Sequence, residues 1–325
     1  MARYFAANTV AGFAHRSHSS VVDSNTAGYF DPAYTDSAIL VPAGSSTGSS
    51  VETGKLHSSP LSLLYGKFDV RAGGGLADTN DVTFALRNSS GALVLRLSGR
   101  YSNNYSLARI QTWNGSAWVD RIAPIPVSWH TEVTPMSWHL DAQVGGKFWL
   151  RVGDTVYSLD GDFSMCANID QLRLEGSYSG NRFSQVMVAD YDVTYSKLMK
   201  ANINANGTFT DGSGAATDIN ETGTDDVGTV RLTTASQKRT FTRSAVTIPT
   251  GFNISALTLE SRMRRAGSSP TGNLLVRSGT SENSAAASSS TAFSGRTLIV
   301  ETDPNTSVAW DQTTFNAAQV GFEAV

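Results

Sequence analysis

The residues of this chain best suited to chemistry are rings and amides rather than acids and bases. Tyr101, Asn103, Asn104 and Tyr105 crowd into one short polar stretch. Trp149 stands out of phase with Phe148, Leu150 and Val152, which places its ring on the outer face of a strand. Aromatic rings stack on the apolar faces of sugars and amides bond their hydroxyls, so these five residues form the candidate carbohydrate-binding set. The alternative is that the rings are core, the ordinary fate of aromatics in a β-sandwich.

Hydrolysis of a glycan needs two carboxyl groups roughly 5–10 Å apart across one sugar bond. No strand here carries alternating acids in an E-x-D-x-E pattern. The nearest acids are Asp190 and Asp192, which share a strand face but sit where that strand leaves the first domain. Their expected role is to cap a loop. No catalytic residue is assigned, and the chain reads as a non-enzyme. Asp218, Glu221, Asp225 and Asp226 offer oxygen ligands for Ca²⁺, but their spacing matches no EF-hand loop. The competing reading is a solvated turn whose carboxylates bond nearby backbone N–H groups. No other cofactor is expected. His15 and His18 have zinc-like spacing without an obvious further ligand, and Cys166, the single cysteine, reads as a small buried hydrophobe.

The elements that must position these residues are strands. Phe68, Val70 and Ala72 alternate with Lys67, Asp69 and Arg71; Val82, Phe84 and Leu86 repeat the pattern, as do Leu93, Leu95 and Leu97. Asn114-Gly115 supplies the turn of a hairpin. Trp138, Leu140, Ala142 and Val144 form one apolar face, Gly145-Gly146 turns the chain, and Phe148, Leu150 and Val152 return. Period-two alternation with frequent turns predicts an antiparallel sandwich. The first sixty or so residues show no sustained period, and the Ser-rich stretch from Ala43 reads as a loop or arm.

Val186 to Ala189 is apolar on both faces, as in a strand buried inside a sandwich; the Gly-, Thr- and Asp-rich run from Thr210 that follows has no apolar face. A seam between two domains is expected there. The fold class is therefore all-β: two β-sandwich, jelly-roll-like domains over 1–196, with an N-terminal arm, and 197–325. Residues 228–234, 238–246, 256–263, 272–279 and 297–303 read as strands of the second domain. Residues from Ser281 read as a long polar loop, and residues 309–318 as one short helix. Large apolar residues are few in this domain, so assembly with neighbouring copies is expected to help it.

The chain has 325 residues, a net charge of −3 and 16% charged residues. It is neither basic enough for a nucleic-acid partner nor apolar enough anywhere for a membrane span. No basic-then-apolar leader opens it, so folding in the cytoplasm where it is made is expected.

Two motifs carry a resemblance. Val188-Ala189-Asp190 with Asp192, then Asp218-Ile219-Asn220-Glu221 and Asp225-Asp226, resembles a family of tailed-bacteriophage structural proteins. Asp303-Pro304-Asn305-Thr306, Trp310, Asn316 and Gly321-Phe322-Glu323 resemble the closing pattern of the same family. The resemblance implies a concanavalin-like jelly roll as first domain and a place on the virion. It implies a structural protein on the particle exterior, tail-associated or fibre-like, with capsid decoration or a head spike as the alternative. The expected partners are copies of itself, with a trimer as first guess, other virion proteins, and a host surface glycan if it acts as an adhesin.

Overall fold

The computed structural model describes residues 2–17, 21–43, 49–73, 82–99, 106–176, 180–219, 228–288 and 290–325. The chain falls into two compact units, Met1–Leu198 and Met199–Val325. Both are built from antiparallel strands.

In unit 1 the strands run in chain order as β1 (Arg3–Ala7), β2 (His15–Arg16), β3 (Val22–Ser24), β4 (Ala38–Val41), β5 (Ser50–Glu52), β6 (Leu63–Ala72), β7 (Val82–Asn88) and β8 (Leu93–Ser98). They continue as β9 (Leu107–Trp113), β10 (Trp118–Pro126), β11 (Thr134–Asp141), β12 (Gly146–Val152), β13 (Thr155–Gly161), β14 (Ile169–Glu175) and β15 (Asn181–Ala189). One sheet of eight strands has the order β13-β12-β11-β6-β15-β4-β3, with β1 also on β15. The facing sheet of seven has the order β10-β9-β8-β7-β14-β5-β2.

The alternation explains the core. Phe68, Trp138, Phe148 and Phe183 from the first sheet meet Phe84, Leu97, Ile110 and Leu172 from the second, all without solvent exposure. Phe84 stacks on Trp138 with ring centroids 5.9 Å apart, and Phe68 meets Phe84 edge-on at 5.4 Å. Each such ring contributes about 1.5–3 kcal/mol by leaving water. β15 is buried along its length because its two faces are covered differently. One faces the core. The other lies under the segment that follows it, where the Gln185 side chain bonds the backbone N and O of Leu198 at 2.7 and 2.8 Å. Lys67 Nζ, also on that outer face, donates to the carbonyls of Thr194 and Ser196 at 3.3 and 2.8 Å.

Unit 2 contains β16 (Ile203–Thr210), β17 (Lys238–Arg243), β18 (Leu257–Met263), β19 (Gly272–Ser278), β20 (Ser281–Ser288), β21 (Ser294–Val300), a helix α1 (Gln312–Ala317) and β22 (Gln319–Ala324). A five-stranded sheet, β16-β17-β22-β19-β20, packs on the pair β18-β21. Their shared core is small: Leu257, Leu298 and Val300 against Leu274, Val276 and Val320, closed by Trp310. The all-β class and the single short helix near the C-terminus are as the sequence predicts.

Four local expectations are corrected. The described part of the first sixty residues is regular: β1 pairs with Val186–Ala189 of β15, β2 to β5 join both sheets, and β5 falls within the stretch from Ala43 read as a loop or arm, of which 44–48 lie outside the described residues. These strands are two to five residues long, too short for a period to show. Residues from Ser281 are not a loop but strand β20, held by β19 through pairs such as Arg277↔Glu282. Small Ala and Ser side chains hide a strand from pattern reading, and the neighbouring strand decides. Residues 228–234 form only a bridge between Arg231 and Ser213, and neither Val230 nor Leu232 is buried. Val144 does not belong to the inner face of β11. It lies in the turn after it and is 76% exposed.

Candidate functional site

The seven-stranded sheet of unit 1 turns Phe84, Leu86, Leu95, Leu97, Leu172 and Leu174 inward. Its alternate residues therefore face outward, and they are unusually polar. One row crosses the sheet from strand to strand: Glu52↔Arg173, Arg173↔Ala85, Ala85↔Arg96, Arg96↔Gln111 and Gln111↔Asp120 are successive cross-strand pairs. Gln111 and Asp120 come from one hairpin, but Glu52 and Arg173 are 121 positions apart. The ladder of strands alone lines them up.

Gln111 is the hub of one half of the row. Its Oε1 accepts from Arg96 Nε at 2.8 Å and from Ser98 Oγ at 2.7 Å, while its Nε2 donates to Asp120 Oδ1 at 2.7 Å. Two donors on one side and a carboxylate on the other fix which way the amide points. Asp120 in turn pairs with Arg109 at 3.4 Å. The Arg96 guanidinium lies over the Trp118 ring, 4.1 Å from its centroid, and Trp118 meets Trp113 edge-on at the closing pair of the β9-β10 hairpin. Burial pulls the Arg96 pKa down to about 10, so it is still a cation at neutral pH.

Glu52 anchors the other half. Its Oε1 accepts from Arg173 at 2.6 Å and Arg87 at 2.9 Å, and Arg173 Nε reaches Glu175 at 2.7 Å. Burial opposes the charge of Glu52, but the two guanidiniums outweigh it and hold its carboxyl below the usual range. At Glu175 burial prevails over Arg173 and the pKa is raised.

Glu52 and Glu175 are the acid pair that a search along single strands misses, because they come from two strands 123 positions apart. Carboxyls driven in opposite directions are what acid–base catalysis uses. Here, however, one guanidinium bonds both carboxylates, so each already holds a fixed cationic partner. The arrangement suits binding better than hydrolysis.

Those residues singled out by sequence that are described lie elsewhere. Trp149 is half-buried on the outer face of the eight-stranded sheet, opposite His139 and beside Ser158. Tyr65 stacks on His139 at 4.3 Å, and Trp149 lies 6.0 Å from the same ring. Tyr101, Asn103, Asn104 and Tyr105 lie outside the described residues; in the chain they join β8 to β9 of the other sheet. Asp190 Oδ1 accepts from the Ala2 backbone N at 2.6 Å and Asp192 Oδ1 from Thr194 N at 2.8 Å, so both carboxylates cap backbone. Asp218 Oδ2 accepts from Ala215 N at 2.7 Å, again a cap. Glu221, Asp225 and Asp226 lie outside the described residues. Among the described residues no cluster of three or more His, Cys, Asp or Glu is placed to hold a metal ion, and no helix is long and apolar enough to cross a membrane.

The closing motif does structural work. Asp303, 1% exposed, caps its own turn by accepting from Asn305 N at 2.9 Å and Thr306 Oγ1 at 3.2 Å. Trp310 Nε1 donates to Val300 O at 2.8 Å, and the Asn316 amide bonds the N and O of Val246 at 3.1 and 3.0 Å.

No protein-family model matches the sequence, and no curated protein matches it. Among solved structures, the globular domain of T. cruzi calreticulin aligns at 10% identity over 58% of this chain and 89% of that one, with a TM-score of 0.38. The carbohydrate recognition domain of Emp46p aligns at 9% identity over 48% and 84%, with a TM-score of 0.38. The alginate lyase AlyC3 aligns at 10% identity over 50% and 78%, with a TM-score of 0.36. Likenesses this distant carry nothing about what the chain binds or does.

Proposed function

We propose that this chain is a non-enzymatic structural protein on the exterior of a tailed-phage virion, and that unit 1 serves it as a glycan-binding adhesin. The observation behind the adhesin reading is the polar row from Glu52 to Asp120, whose donors and acceptors are fixed by one another on an outward sheet face. Pre-set planar polar groups suit a hydroxyl-rich ligand, because they lose little freedom on binding. The bridged Glu52–Arg173–Glu175 arrangement favours binding without cleavage.

The virion reading rests on the sequence motifs around Asp190 and Asp303. A tail-associated or fibre-like position is favoured, with capsid decoration or a head spike as the alternative. The partners on this reading are other copies, as a trimer, and neighbouring virion proteins.

The test is a glycan array probed with the full-length oligomer, with reducing ends assayed in parallel. Retention on surface polysaccharides without release of reducing sugar is expected. A blank array removes the adhesin role, and sugar release refutes the non-enzymatic one. Electron microscopy of particles lacking the protein decides its place on the virion.

A further inference from the structure

We infer that the outward face of the seven-stranded sheet selects an acidic saccharide, with Arg96 as the group that takes its carboxylate; this rests on the glycan-binding reading above. Among the described residues the face carries four arginines, and three of them meet acids. Arg87 and Arg173 pair with Glu52, Arg173 also with Glu175, and Arg109 with Asp120. Arg96 forms no ion pair with any described residue. Its Nε is committed to Gln111, its plane rests on Trp118, and its two terminal nitrogens bond no described residue.

Glu175 and Asp120 attract this half-buried cation, but neither bonds it, so part of its desolvation cost stays uncompensated. The free edge of its guanidinium is a two-pronged donor that matches a planar carboxylate. Its aim is set in advance by the Gln111 amide, itself oriented by Asp120.

Thr83 gives a second, independent sign. It is 1% exposed, and its Oγ1 has no hydrogen-bond partner. On β7 it is two residues from Ala85, the cross-strand partner of Arg96, at the bulge between Val82 and Phe84. Two residues along a strand span ~7 Å. A buried hydroxyl without a partner costs stability and is retained at odds with the otherwise bonded face around it. An anion anchor and, on the neighbouring strand, an unbonded hydroxyl fit a carboxylate and a ring hydroxyl of a uronic-acid chain.

The test measures binding of the full chain to polygalacturonate, dextran sulfate and unsubstituted dextran by isothermal calorimetry at two ionic strengths. Polygalacturonate binding that weakens with salt, and no binding of dextran, is expected. Arg96→Gln should weaken binding at least tenfold, and Arg96→Lys should recover only part, since an ammonium lacks the fork. Lys147→Gln, which removes an exposed charge on the other sheet, should leave affinity unchanged. Thr83→Val should weaken binding several-fold while leaving the unfolding midpoint equal or higher, a combination that a merely structural hydroxyl would not give. If Arg96→Gln does not fold, the Thr83→Val and salt arms decide. Equal losses in Arg96→Gln and Lys147→Gln would overturn the inference, as would preference for the sulfated polymer. Dextran bound as well as polygalacturonate overturns it while the adhesin reading stands. No binding to any glycan on the array or in the calorimeter overturns both.

Discussion

Gln111 and Asp120 face each other across β9 and β10, and the Gln111 amide donates to Asp120 Oδ1 at 2.7 Å. Asp120 thereby fixes the amide that in turn holds Arg96 and Ser98. Removing the two should have unequal costs. Asp120→Ala breaks the bond from Gln111 and a longer, partly exposed ion pair with Arg109, and should cost about 1 kcal/mol. Gln111→Leu strips the acceptor from Arg96 Nε and from Ser98 Oγ at a site only 4% exposed, and should cost about 3 kcal/mol. Urea unfolding of the two variants checks the ordering, and equal costs would contradict the hub role.

Across β6 and β11, Gly66 sits directly under the Trp138 ring. A Cβ on Gly66 would lie 2.2 Å from Trp138 Cζ2, and the ring is fully buried with no room to retreat. Gly66→Ala should destabilise unit 1 by about 3 kcal/mol, the upper end of ordinary overpacking. Trp138→Phe in the same background should restore part of the loss by vacating the space.

Lys67 is 2% exposed, and burial pushes its pKa down from 10.5 to about 8, against the pull of Asp69. A base with a depressed folded pKa is bound to fewer protons when folded, so stability rises with pH between about 8 and 10.5 and the gain is lost as pH falls through 8. At about 1.36 kcal/mol per unit, moving from pH 7.5 to 9.5 should add about 2 kcal/mol from this residue. The comparison is with a Lys67→Met, Asp69→Leu double variant, in which neither group titrates. Parallel pH profiles for the two proteins would show that Lys67 does not titrate in this window.

Cys166 is fully buried, its Sγ donating to Val94 O at 3.4 Å, and burial raises its thiol to about 12. The thiolate is the reactive form, so native protein should resist a disulfide reagent at pH 8 and react only on unfolding. Fast labelling without loss of structure would place the thiol at the surface.

Much of the architecture is legible along the chain because a strand's side-chain period is local. Leu95 and Leu97 announce the inner face of β8, and Trp138, Leu140 and Phe148 that of β11 and β12, before any partner strand is known. β20 is not legible in this way, since Ala and Ser side chains carry no pattern, and β1 to β5 are too short to show one.

The binding face is the opposite case. Sequence singles out Trp149 for its phase, and the phase is right, but the ring rests against His139 on the eight-stranded sheet, away from the polar row. Glu52, Arg173, Arg96, Gln111 and Asp120 each look like an ordinary polar residue on the solvent side of a strand. For the longer strands the sequence by itself determines which side chains point outward, because alternation is set by the backbone of each strand; Glu52, on the three-residue β5, is placed only by its partners. Only the tertiary structure decides that these side chains form one row, because strand order and register are fixed by contacts between residues far apart in the chain.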